Sequence, residues 1–209
     1  MADLNGVSEA LQRGDRDTVT RLVQEAVDEG VAPKTILDEG LIAGMGIIGG
    51  KFKRNEVYVP EVLIAARAMH GGLGVLEPVL ADAGIEPVGK VILGTVKGDL
   101  HDIGKNLVAM MLKGGGFYVE DLGTDCPAEK FVEAAKATGK CVVAMSALLT
   151  TTMPQMPVIV KAIKDAGLKN VKTLIGGAPV TQGYADEIGA DGYAADAASA
   201  ADVARELMA

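Results

Sequence analysis

The stretch Val91-Ile92-Leu93-Gly94-Thr95-Val96-Lys97-Gly98-Asp99-Leu100-His101-Asp102-Ile103-Gly104 separates an all-helical chain from an α/β one. Its apolar first half predicts a buried strand. The residues that follow, Lys105-Asn106-Leu107-Val108-Ala109-Met110-Met111-Leu112, predict a helix. His101, flanked by Asp99 and Asp102, then lies on the loop at the carboxyl end of a strand. Open α/β sheets bind ligands along that edge. Asp99 is two residues from His101 on a loop, so its carboxylate can reach the imidazole and fix the tautomer. A ring held in this way is a good metal ligand or a good base. A turn whose Asp caps the next helix has the same letters. The loop alone leaves both open.

Downstream, the pattern repeats. Strands are predicted near 90–96, 117–121, 141–146, 171–175 and 191–194, and helices near 103–113, 127–138, 152–166, 181–188 and 197–207. Five β–α units imply a doubly wound parallel sheet of flavodoxin/Rossmann-like type, with strand order 2-1-3-4-5. Two further loops leave the same edge. Ser146-Ala147-Leu148-Leu149-Thr150-Thr151-Thr152 is dense in hydroxyls, which can bond a polar ligand or cap a helix. Gly176-Gly177-Ala178-Pro179 either admits a close ligand or makes a tight turn. No Gly-x-x-x-x-Gly-Lys-Ser/Thr phosphate loop occurs, nor a Gly-x-Gly-x-x-Gly after the first strand. The acidic cluster of a receiver domain is missing as well.

Upstream, residues 1–88 predict four helices. Ser8 is the expected cap of the first. Val19, Leu22, Val23, Ala26 and Val27 line the second. Pro33 opens the third and Pro60 the fourth, in which Leu63, Ile64, Ala68, Leu73 and Leu76 are the expected apolar face. Short turns between them predict an antiparallel four-helix bundle. Gly44, Gly46, Gly49, Gly50, Gly71, Gly72 and Gly74 crowd two of these helices, where each costs about 1 kcal/mol against Ala. They imply either close helix contact or the approach of something flat and large. His70 stands alone on its helix. The expected domains are 1–88 and 89–209.

Composition narrows the functions. Hydrophobic residues make up 49% of the 209 and charged residues 23%, a globular balance with ample core material. The net charge of −8 and the absence of a Lys/Arg cluster exclude the electrostatic footprint of a nucleic-acid binder. No run of about 18 uncharged apolar residues is evident, so no membrane partner is expected. The N-terminus carries no basic, apolar targeting signal. Cys126 and Cys141 have no Cys-x-x-Cys spacing and are read as separate reduced thiols of a cytoplasmic protein. With two His in the chain and no Cys on these loops, a cage made of protein ligands alone is implausible. One axial imidazole suits a metal held in a macrocycle.

Asp99-Leu100-His101-Asp102-Ile103-Gly104, Ser146-Ala147-Leu148 and Gly176-Gly177 together resemble the Asp-x-His-x-x-Gly … Ser-x-Leu … Gly-Gly signature of cobalamin-binding domains. Residues 1–88 resemble the helical cap found in methionine synthase and in the small corrinoid proteins of methyltransferase systems, above all Gly44-Met45 through Phe52 and Val59-Pro60-Glu61 through Met69. The resemblance covers nearly the whole chain.

It implies a corrinoid cofactor, cobalamin, methylcobalamin or a related B12 form, bound base-off/His-on. His101 replaces the nucleotide base as lower axial cobalt ligand. Asp99 bonds the far imidazole nitrogen and Ser146 completes the relay. Asp102, Ile103, Gly104, Leu148, Thr150, Gly176 and Gly177 belong to the cofactor-binding set, the glycines making room for the nucleotide tail and Ser146 and Thr150 bonding it. A carboxylate partner strengthens the imidazole as a donor and tunes cobalt between methyl-Co(III) and Co(I). The hard chemistry is the cofactor's. The implied role is a methyl carrier. A substrate-specific methyltransferase loads it from a methylamine, methanol, betaine or aromatic methyl ether, and a methylcorrinoid:acceptor methyltransferase unloads it to tetrahydrofolate or coenzyme M. A reductive activation protein is the third implied partner. A corrinoid-dependent sensor is the rival role, but the N-terminal helices are taken by the cap and no basic recognition helix is visible.

Overall fold

The computed structural model describes residues 2–209. They divide into two compact units, one reaching Pro87 and including Gly114–Gly116, the other made of Val88–Lys113 and Phe117–Ala209.

The first unit is helical: α1 (Leu4–Gln12), α2 (Arg16–Asp28), a long helix from Pro33 to Lys53, and a final helix ending at Asp82. Asp3, not Ser8, caps α1, accepting from the Gly6 N–H at 2.7 Å. Ser8 is buried inside the helix instead, because a carboxylate one turn earlier already satisfies the free N–H groups. The long helix is not uniform. It runs through α3 (Pro33–Thr35), a π-helical stretch Ile36–Ile42 and α4 (Ala43–Lys53). The wider winding places Ile36 and Leu41, five apart, among the buried residues.

The last helix, α5 (Val59–Asp82), buries Val62, Ala65, Ala66, Ala68, Met69, Gly72 and Leu76. Leu63 and Ile64, expected on its packed face, are exposed. Pro78 lies inside the helix, which runs through it to Asp82. By length and hydropathy alone α5 would suffice to cross a bilayer, but Glu61, Arg67 and Glu77 interrupt it, so it holds no run of about 18 uncharged residues. Its buried small residues show a bundle core helix packed on α2. Close helix contact accounts for several glycines. A Cβ on Gly44 would stand 3.1 Å from the Ser8 backbone, and one on Gly72 would stand 2.7 Å from a Leu41 methyl.

The second unit is the predicted sheet. β1 (Lys90–Thr95), β2 (Tyr118–Asp121), β3 (Cys141–Ser146), β4 (Val171–Gly176) and β5 (Gly192–Ala194) are all parallel, in the order β2-β1-β3-β4-β5. The crossovers are α6 (Ile103–Gly114), α7 (Ala128–Thr138), α8 (Gln155–Asp165) and α9 (Gln182–Ile188), and α10 (Ala197–Met208) closes the chain. Central β1 and β3 are apolar almost throughout because both their faces are covered. Phe131, Met156, Ile159 and Ile163 pack against Ile92, Val143 and Ile175. Cys126 and Cys141 are free and buried. Burial pushes both thiols up, Cys141 to about 11 with help from Glu120.

The strand order puts the switch point between β1 and β3, so the loops after these two strands meet.

Candidate functional site

The loop after β1 is held before any ligand is considered. Gly98 turns the chain with φ +82°, and its N–H donates to Asp125 Oδ1 at 2.7 Å. Asp125, itself left-handed at φ 53°, returns its own N–H to the Asp99 carbonyl at 3.0 Å. The Thr95 hydroxyl donates to the His101 carbonyl at 2.9 Å.

Asp99 is fully buried, and its two oxygens have different partners. Oδ1 accepts from the His101 main-chain N–H at 3.1 Å and faces His101 Nδ1 at 2.7 Å. Oδ2 accepts from the Leu148 N–H at 2.8 Å, the Leu149 N–H at 3.3 Å and the Thr152 hydroxyl at 2.7 Å. Burial alone would raise this carboxyl. The bonds from Leu148, Thr152 and His101 outweigh burial and hold it well below the usual carboxylate range. An ionised Asp99 accepts only, so the Nδ1 of His101 carries the proton toward it, and in the neutral ring Nε2 keeps its lone pair. The imidazole is half exposed, its side chain at 50%.

Ser146 is not among the donors to Asp99, which corrects the expected relay. It is the last residue of β3, in register with Thr95 and Gly176, and its carbonyl accepts from the Val96 N–H. The carboxylate lies over the following turn, so Thr152, six residues on, supplies the hydroxyl. The signal was present in the run of three threonines, but only the turn's path shows which one points inward. α8 accordingly begins at Gln155 rather than 152.

The other expected residues divide. Asp102 is exposed and accepts from Asn106 Nδ2 at 3.2 Å. Ile103 and Leu100 are 78% and 74% exposed, and Leu148 and Leu149 are exposed beside them. Thr150 is exposed, and a Cβ on Gly104 would meet nothing within 4 Å. At Gly177, with φ +135°, a Cβ would fall 1.9 Å from the Ala147 carbonyl oxygen. One on Gly176 would stand 3.0 Å from the Ala194 carbonyl. The glycine pair thus lets neighbouring backbones approach one another, which is sufficient reason for it without a ligand.

This edge therefore presents an imidazole anchored through Nδ1, with no hydrogen bond at Nε2 among the described residues, and exposed Leu100, Ile103, Leu148 and Leu149 on the same two loops. Among the described residues no group of three His, Cys, Asp or Glu could hold a metal. A metal bound by His101 must bring its remaining ligands with it, as a macrocyclic complex does. Leu100, Ile103 and Leu148 suit the apolar rim of such a ring. The residues present fit a corrinoid. Fold and loop together define a doubly wound binding module whose ligand edge carries one carboxylate-anchored imidazole.

Comparison with known proteins places that class. Residues 89–202 match a B12 binding domain, and residues 4–77 match a second B12 binding domain model. The chain belongs to the B12-binding domain family. It is 42% identical over 212 residues to a corrinoid protein of Desulfitobacterium hafniense (strain Y51), covering 100% of this chain and 98% of that one. It is 41% identical over 213 residues, the whole of both chains, to dimethylamine corrinoid protein 3 of Methanosarcina acetivorans. Among solved structures it superposes on the methanol:cobalamin methyltransferase complex MtaBC from Methanosarcina barkeri with a TM-score of 0.87 at 29% identity, covering 98% of this chain and 79% of that one.

Proposed function

We propose that the chain is a methyl-carrying corrinoid protein, with residues 89–209 as the corrinoid-binding domain and residues 1–88 as its cap domain. The observation that carries this is the half-exposed His101 ring, fixed at Nδ1 by a buried carboxylate and, among the described residues, without a hydrogen bond at Nε2. His101 is the lower axial ligand, in a base-off/His-on arrangement. A bound corrinoid supplies a cobalt that accepts and gives up a methyl group. The chain's own residues orient and tune the ligand. Asp99 holds the ring in one tautomer and raises its donor strength. Leu148, Leu149 and Thr152 keep Asp99 ionised. Asp102, Ile103, Gly104, Leu148 and Thr150 face the ligand side, and Ser146, Gly176 and Gly177 line its far end. The partners are a substrate-specific methyltransferase, a methylcorrinoid:acceptor methyltransferase and a reductive activation protein. The names of relatives similar over the full length favour a methylamine donor.

Reconstitution with hydroxocobalamin tests the ligand. The wild type is expected to retain the corrinoid with a base-off, His-on absorption spectrum, and His101→Ala to lose that spectral form. An identical spectrum in the variant would remove His101 from the metal.

A further inference from the structure

Among the described residues Lys105 is the one buried lysine, its side chain at 2% exposure. Four residues after His101, on the first turn of α6, its ammonium donates to Asp121 and, at 2.7 Å, to Asn106 Oδ1. An ion pair so buried needs fixed geometry to offset desolvation and is weak evidence for stability by itself. What it joins is more informative. Asn106 Nδ2 reaches Asp102, the neighbour of His101. Asp121 Oδ1 accepts from the Gly123 N–H at 2.8 Å, and the Gly123 carbonyl accepts from the Thr95 N–H at 3.0 Å. The Thr95 hydroxyl closes on the His101 carbonyl. Two residues beyond Gly123, Asp125 grips Gly98 and Asp99. The bonds form a closed circuit around the backbone of His101, with Lys105 at the point where helix and loop are tied.

We infer that Lys105, through Asp121, is a positioning residue for the His101 imidazole. Asp99 fixes the ring's rotation, and the Lys105 circuit fixes the backbone from which the ring projects. The side chain is half exposed and gets little help from packing, so a backbone restraint is what keeps Nε2 in one place. The inference rests on the proposed ligand role of His101 only for its functional consequence; the restraint itself is a property of the protein without cofactor.

The experiment therefore has two readings, made on full-length Lys105→Met, Lys105→Arg and Asp121→Asn. The first is amide exchange of Gly98, Asp99, His101 and Asp125, together with the 15N shifts of the His101 ring, without corrinoid. Lys105→Met is expected to lose about tenfold in protection at these amides and to broaden or average the ring signals, while amides of β3 and β4 stay unchanged. Lys105→Arg should restore part of the effect. The second is hydroxocobalamin affinity, expected to fall about tenfold in Lys105→Met, as for other groups that orient a metal ligand. Unchanged protection and ring shifts in a folded Lys105→Met overturn the inference. If that variant does not fold, the same null result in Asp121→Asn overturns it. Lost protection with unchanged affinity would instead count against His101 as ligand and leave the restraint standing.

Discussion

The loop after β1 and the loop after β4 both carry signature residues, and they differ in what the fold itself demands of them. Gly177 sits so close to the Ala147 carbonyl that no side chain fits, and its backbone lies where glycine is favoured. Folding by itself already requires glycine there. In the loop after β1 the demand stops partway. Asp99 is committed to four neighbours, yet the ring it holds is half exposed, Leu100 and Ile103 lie open, and Gly104 faces empty space. Residues without a structural reason, standing next to residues with a strong one, are what the proposed ligand site requires. A sequence signature mixes the two kinds; the coordinates separate them.

The largest effect should come from Gly177→Ala. The clash and the strained backbone together are expected to cost at least about 3 kcal/mol, read as a drop in thermal midpoint or as failure to fold. A near-wild-type melt would mean that the loop after β4 relaxes easily and that its glycines are free for another role.

Next is Asp99→Asn. The single oxygen of an amide can accept either from Leu148, Leu149 and Thr152 or from His101, so its NH2 faces donors on the other side, and leaving those buried donors unpaired is expected to cost about 3 kcal/mol. The change should also reshape the acid limb of the stability curve. Asp99 is held below its ordinary value, so its contribution is present above about pH 4 and is lost as pH falls through the lowered folded value. In Asp99→Asn that portion of the acid loss should vanish, as denaturant melts between neutral and acid pH would show. Thr152→Val should move in the same direction by about 1 kcal/mol, and Ser146→Ala by less.

The smallest effect on the protein alone belongs to Gly104→Ala. With no atom within 4 Å of the new methyl and a helical position, stability is expected to hold or to rise by up to about 1 kcal/mol. Hydroxocobalamin affinity should nevertheless fall. Equal affinity would detach Gly104 from the cofactor side and blur the contrast between the two loops.

Much of this was legible in the letters because it rests on periodicity. Val91–Val96 and Cys141–Ser146 are largely apolar runs of strand length, as a strand covered on both faces requires. Their connection by helices dictates parallel pairing, and the predicted order is the one observed. Where the outcome depended on the path of a turn, sequence was insufficient. Ser146 ends β3 and Thr152 follows it, both with hydroxyls, and only the fold of 148–152 decides which reaches Asp99. The wider winding at Ile36–Ile42 has no letter of its own. The Lys105–Asp121 pair spans 16 positions and two elements, beyond any local pattern. Conversely, Leu63 and Ile64 have helical spacing but stay exposed, since periodicity names a stripe without saying how much of it a neighbour covers.

The two cysteines have a chemical consequence. Both thiols are enclosed, and burial shifts them toward the protonated form, Cys141 to about 11. Attack on an electrophilic carbon requires the thiolate, which is nearly absent at neutral pH in such surroundings. For the methyl-carrying role proposed above, this would keep the chain's own best nucleophiles out of reach of the transferable one-carbon unit.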